Sequence, residues 1–471
     1  MWRMSKRVII VLVSGAVVFL SCAGNSRAQS PPGVVTHAGT LADGATYLIE
    51  VPANWNGTLF LYSHGYVIPG TANPALDVGQ GDLATRFFML SSGFALAGSS
   101  YATTGWAIHE AIPDQIAVLD LFKLMVGQPK RTIAWGHSLG GMVTAALIQR
   151  HPDRFDAALP MCGVLSGGVA TWNTALDSEF AFKTLLAPGS GLQVVNIANP
   201  LANLQLAEQF LVIAQSTAQG RARLALVSAL ADGPGWFVPT SPEPAPTDFT
   251  TQEMNQFLWD QNVDFPFVFA FRAELEARAR GNVSWNTGVN YRAQLAHSID
   301  RDEVRALYKQ AGLSLDADLE TLEDAVKISA DPEALHYLET NIIFDGEIHI
   351  PVLTLHTKGD GLVVVQNESA YKQVVEEAGN EKFLRRAFVS RAGHCAFTPA
   401  ETIASVQKLI NRLDTGEWRE VEADDLNGAA AALGPGFNIF PTPNGIVPVP
   451  PAFIDFRPAR YLRPFDASKE K

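Results

Sequence analysis

The chain has 471 residues, 47% hydrophobic and 18% charged, with a formal net charge of −13. That length holds one large domain with a sizeable insertion, or two domains, and that balance excludes a disordered chain. The negative charge runs without long acidic blocks, so neither nucleic acid nor an anionic membrane is expected among the partners; composition fixes no oligomeric state.

Residues 1–28 read as an export signal. Arg3, Lys6 and Arg7 precede an apolar run from Val8 to Leu20, and Ser26-Arg27-Ala28 has the small-x-small pattern that a signal peptidase cuts. Cleavage is expected after Ala28, giving a secreted or periplasmic protein. The run is too short for a permanent membrane span. The alternative is lipid attachment at Cys22, against which stands Phe19, where lipoprotein signals usually carry leucine. Removing the signal leaves Cys162 and Cys395. No CxxC or Cys/His cluster suggests a metal, so neither metal nor cofactor is expected.

Along the chain, 45–52 and 57–63 alternate or run apolar between turn residues, as neighbouring strands do. A helix is predicted over 83–92, a strand over 94–99 and a helix over about 112–127 with Pro113 in its first turn. A buried strand at 131–136, a helix at 140–150 and a strand at 156–161 follow. This alternation predicts a doubly wound, mostly parallel sheet covered on both faces. From 166 to 345 the chain reads as mainly helical, punctuated by Pro-rich stretches such as 238–247. The strand–helix rhythm resumes at 350–356, 367–378, 384–390 and 398–413. The simplest account is a first core segment (29–165), a large helical cap insertion (166–345), a second core segment (346–420) and a Pro/Gly-rich tail (421–471) that wraps the surface.

The strongest chemical signal is Gly136-His137-Ser138-Leu139-Gly140, a G-x-S-x-G motif placed directly after an apolar strand and directly before a helical pattern. The turn is too tight for side chains at the flanking positions, hence the glycines. A Gly-rich turn with a capping serine is the bland alternative; the strand–turn–helix context favours Ser138 as nucleophile.

On this motif the chain resembles the α/β-hydrolase superfamily, over about 36–165 and 350–415. In that family the order is Ser, acid, His. The resemblance implies Asp360 as the acid, in Thr357-Lys358-Gly359-Asp360-Gly361 after a strand, with Glu368 as a competitor. It implies His394 as the base, in Arg391-Ala392-Gly393-His394 after the last strand. A serine hydroxyl is a poor nucleophile at neutral pH; His394 would accept its proton and Asp360 would fix the ring's tautomer. Ser63-His64-Gly65-Tyr66 resembles the family's His-Gly loop, which implies an oxyanion hole from the backbone N–H groups of Tyr66 and Leu139. The His64 ring is expected to orient the loop and to transfer no proton. Tyr66 departs from the HGGG form, which argues against esters of tertiary alcohols.

Tyr101 and Trp106, just past the strand 94–99, are candidate substrate-binding residues. The fold that the resemblance implies brings Cys162 and Cys395 to one sheet edge, so a disulfide between them is expected, with two separate buried thiols as the alternative. The stretch Gly393–Thr398 looks like that of some secreted bacterial hydrolases, among them esterases of aromatic acids and phthalyl amidase-like enzymes. The function expected is a secreted serine hydrolase cleaving carboxylic esters. Amide or peptide hydrolysis by the same triad is the alternative, and a non-catalytic binding module on the same fold a remoter one.

Overall fold

The computed structural model describes residues 33–73, 82–418 and 421–465. The export signal, its Ala28 cleavage point and Cys22 lie outside the described residues. In chain order the first core segment carries β1 (Val35–Thr40), β2 (Thr46–Val51), β3 (Thr58–Ser63), α1 (Leu83–Ser91), β4 (Ala95–Ser99) and α2 (Ile108–Met125), then β5 (Arg131–His137), α3 (Leu139–Arg150) and β6 (Ala157–Met161). After the insertion come β7 (Val352–Gly359), α4 (Asn367–Glu377), β8 (Leu384–Ala392) and α5 (Pro399–Thr415).

These strands form one sheet in the order β1-β2-β4-β3-β5-β6-β7-β8, extended at its far edge by a short tail strand, β9 (Phe453–Ile454). From β4 across to β8 all pairings are parallel; β1, β2 and β9 run antiparallel at the edges. Central strands are buried on both faces and read as continuous apolar runs. Leu59, Leu61 and Ala134 pack under α2 and α3, while Phe60, Tyr62, Ile133 and Trp135 pack under α1 and α5. The doubly wound parallel sheet expected from the alternation is thus the observed fold.

Three details differ from expectation. Strands β2 and β3 are not neighbours, because the α1 crossover lays β4 parallel to β3 and between the two. Helix α2 starts at Ile108, so Pro113 sits inside it, where it forgoes only one main-chain bond. The tail does more than wrap the surface. It forms a helix at Ala423–Ala432, adds β9 to the sheet edge, and sends Arg463 into the insertion, where Nη1 lies 3.0 and 3.1 Å from the two carboxylate oxygens of Asp177.

Between β6 and β7 the chain is helical, from Gly167–Leu186 to Pro332–Asn341, and has its own apolar core around Phe182, Leu211, Leu226, Phe265 and Phe269. This cap meets the core on the loops after β4, β7 and β8. A side chain at Gly105 would collide with Glu274, one at Gly361 with the Trp259 ring, and one at Gly393 would press on Pro239. All three loops leave the same end of the sheet as Ser138. Among the described residues no helix is long and apolar enough to cross a membrane.

Candidate active site

Ser138 stands between β5 and α3 with φ 56° and ψ −124°, a strained backbone for a residue with a side chain. The strain is imposed by close packing of two turns. A Cβ at Gly140 would lie 1.9 Å from the Ser63 carbonyl oxygen, and one at Gly136 would lie 2.4 Å from it. Ser138 N–H donates to the Met161 carbonyl oxygen (3.0 Å), tying the elbow to β6.

The loop after β3 lies against this elbow. A Cβ at Gly65 would sit 3.4 Å from Ser138 Cβ and 3.9 Å from its Oγ, which brings the Tyr66 main chain beside Ser138. Leu139 is the first residue of α3, where main-chain N–H groups lack helical partners. The His64 ring lies between two carbonyl oxygens, Nδ1 at 2.7 Å from Gly65 and Nε2 at 3.0 Å from Ser100, and burial lowers its pKa. Gln115 Nε2 donates to the Tyr62 carbonyl (2.6 Å) and to Ser63 Oγ (2.9 Å), fixing the loop from below.

Tyr101 is fully buried, stacks on His64 at 3.9 Å, and donates its hydroxyl to the His64 carbonyl (3.0 Å). It therefore holds the loop and is not available to line a pocket, contrary to the expectation from its position. Trp106 is also buried. Its ring packs on Tyr66 (6.0 Å) and Trp172 (5.3 Å), and its Nε1 has no hydrogen-bond partner among the described residues.

Asp360 and His394 come together directly. His394 Nδ1 lies 2.7 Å from Asp360 Oδ2, while Asp360 Oδ1 accepts from Val363 N–H (2.9 Å). Burial opposes charge on Asp360, yet His394 and His356 hold its pKa below the usual carboxylate value. Glu368, the competing acid, is turned away from His394. It accepts from Thr354 Oγ1 (2.5 Å) and faces His356 Nδ1 (3.1 Å).

The His394 loop is fixed on both sides. Thr357 Oγ1 donates to the Gly393 carbonyl (2.6 Å), and a buried Arg391–Glu401 pair with contacts of 2.6 and 2.9 Å spans the loop. Glu401 and Thr398 also form a capping box at the start of α5. The disulfide Cys162–Cys395, with a Cα separation of 5.4 Å, joins the residue after His394 to the end of β6, beside the elbow. No hydrogen bond joins Ser138 Oγ to His394; the ring's Nε2 lies 3.4 Å from Cys395 Sγ. Such bonds are often loose without substrate and tighten on binding. The two cysteines and His394 are close enough to hold an ion, but the bridge occupies both sulfurs.

Two titratable neighbours escaped the sequence reading. His356 is fully buried behind Asp360, its Nε2 3.6 Å from Asp360 Oδ2. Burial works against its charge, but Asp360 and Glu368 prevail and push its pKa up to about 10. Asp264, from the cap, is pushed up to about 8 by burial and by the Asp360 charge. His356 lies inside a strand, where periodicity marks it only as core. The Thr398-Pro399-x-Glu401 capping signature was legible in the sequence and would have marked the loop's anchor.

The chain matches the prolyl oligopeptidase family model over residues 99–216, a span that includes Ser138. It is 31% identical over 435 residues to the o-phthalyl amidase of Xanthobacter agilis, with 84% of this chain and 91% of the relative covered. Among solved structures, feruloyl esterase B from Aspergillus oryzae matches at 13% identity with a TM-score of 0.38, covering 81% of this chain and 80% of the other. The rice cell wall degrading esterase LipA from Xanthomonas oryzae matches at 14% identity with a TM-score of 0.35, covering 81% and 89%. With the sheet order, the elbow and a relative aligned along nearly its whole length, the chain belongs to the α/β-hydrolase superfamily and is a hydrolase.

Proposed function

We propose that this protein is a serine hydrolase that cleaves amides of aromatic carboxylic acids through an acyl-enzyme on Ser138. The observation that carries the catalytic part is the His394–Asp360 contact at 2.7 Å on a loop stapled beside the Ser138 elbow. His394 takes the proton of Ser138 Oγ as the hydroxyl attacks the carbonyl carbon. The developing oxyanion accepts from the main-chain N–H groups of Tyr66 and Leu139. His394 then gives its proton to the leaving amine, the C–N bond breaks, and water releases the acid in a second, symmetric step.

The substrate class rests on the relative. The sequence alone favoured esters, but the extended match is to an amidase named for an aromatic acid. Aromatic side chains near the oxyanion loop support an aromatic acyl group: Phe267 and Phe271 of the cap lie 5.2 and 6.0 Å from the Tyr66 ring. Ester hydrolysis is the second reading, since the acyl-enzyme chemistry is shared and only the leaving group differs. Export is supported by the disulfide.

The test is a paired panel: phthalyl and acetyl anilides beside the matching p-nitrophenyl esters, each with wild type and Ser138→Ala. Phthalyl anilide turnover that disappears in Ser138→Ala supports the proposal. Turnover of esters alone returns the assignment to an esterase.

A further inference from the structure

Asp360 is one of four fully buried side chains that touch in sequence. Thr354 and His356 point from β7, Asp360 follows that strand, and Glu368 sits in the first turn of α4. Thr354 Oγ1 donates to one oxygen of Glu368, and the other oxygen faces His356 Nδ1 at 3.1 Å. On the far side of the ring, Nε2 faces two acceptors, the Val363 carbonyl at 2.8 Å and Asp360 Oδ2 at 3.6 Å. A neutral imidazole has one N–H and one lone pair. His64 also lies between two acceptors, but both are neutral carbonyls; the His356 nitrogens face a carbonyl and two carboxylates, and beside ionised carboxylates a neutral ring would aim a lone pair at an acceptor. A doubly protonated ring satisfies both.

We propose that His356 is held as an imidazolium between Glu368 and Val363 and acts as a positioning residue, fixing Asp360 as the carboxylate that orients His394. The inference rests on the Ser138–His394–Asp360 reading above. Asp360 then has three partners that each settle one aspect of its state. Val363 N–H holds one oxygen, His394 takes the other, and the His356 cation compensates the charge. The other charged or titratable groups that act on this chain are Asp264, from the cap, upon Asp360, and Arg386 and Tyr371 near Glu368.

The cation has a kinetic consequence. Positive charge beside Asp360 weakens its hold on a protonated His394. Removing that charge therefore lets His394 keep its proton to higher pH, and the acid limb of kcat/KM moves up, by roughly one pH unit for charges this close in a protein interior. Two variants act on it by different routes: His356→Gln deletes the ring, and Glu368→Gln withdraws one of the two anions that retain the second proton.

The experiment measures kcat/KM against pH for wild type, His356→Gln and Glu368→Gln, alongside histidine 15N spectra of the wild-type protein at pH 7.5. The expected result is an acid limb displaced upward in each variant that folds, and a His356 signal with both nitrogens protonated. An undisplaced limb in a folded variant, or a neutral His356 tautomer, overturns the proposal; the spectrum decides alone if neither variant folds. Failure of the triad reading looks different, as retained turnover in Ser138→Ala.

Discussion

At the residue scale, the elbow depends on atoms that are missing. Gly140→Ala would place a methyl group 1.9 Å from the Ser63 carbonyl, a collision with main chain that no rotamer relieves. A loss of about 3 kcal/mol or more is expected, read as a fall in Tm by calorimetry, with activity lost in whatever folds. His356 gives a pH-dependent prediction. Its pKa is about 10 in the folded protein and about 6.5 in an unfolded chain. A raised pKa stabilises fully below the unfolded value and ceases to do so as pH rises through the folded one. The Tm advantage of wild type over His356→Gln should thus be constant below about pH 6.5 and shrink steadily towards pH 10. A constant difference across that range would count against the charged ring. The strained turn at Ser138 was legible because it demands glycines at fixed offsets, whereas the pairing of Asp360 with His394 was legible only through chain order. Tyr101 was misread because position past a strand end does not reveal where a hydroxyl points.

At the element scale, the bridge and the tail hold the pieces in place. The disulfide closes a loop of 233 residues, and loop closure on that scale is worth about 4–5 kcal/mol in the chain-entropy account. The Cys162→Ser/Cys395→Ser double variant should unfold at lower denaturant, and thiol labelling of unfolded, unreduced wild type followed by peptide mapping should find neither Cys162 nor Cys395 free. Arg463 anchors the tail to buried Asp177, whose pKa burial pushes up to about 6 despite that partner. Arg463→Met leaves the carboxyl uncompensated, an expected loss of about 3 kcal/mol measured by urea unfolding. The core strands were legible because apolar runs end at turn residues. Their neighbour relations in the first half were not: a crossover inserts β4 between β2 and β3, and sequence adjacency cannot show it. Nor was β9, whose two residues carry no period at all.

At the scale of the whole molecule, the cap and core are joined where the chemistry would occur. Trp236, Trp259 and Pro239 press on the Asp360 and His394 loops, and Phe267 and Phe271 reach the Tyr66 ring. Phe271→Ala should therefore lower kcat/KM for an aromatic acyl substrate about tenfold while changing an acetyl substrate little, as the loss of one aromatic contact implies. Equal effects on both would mean that these rings only hold the cap together. Cap residues were the least legible part of the chain, because helical spacing marks a buried face without saying whether it faces the cap's own core or the site.

The proposed reaction makes Ser138 the acylated nucleophile. Reaction of the folded protein with a fluorophosphonate, followed by peptide mass mapping, tests it most directly. One adduct is expected, on Ser138, absent from Ser138→Ala and slowed by several orders of magnitude in His394→Ala. An adduct on any other residue, or none in a preparation that still turns over substrate, would contradict the account.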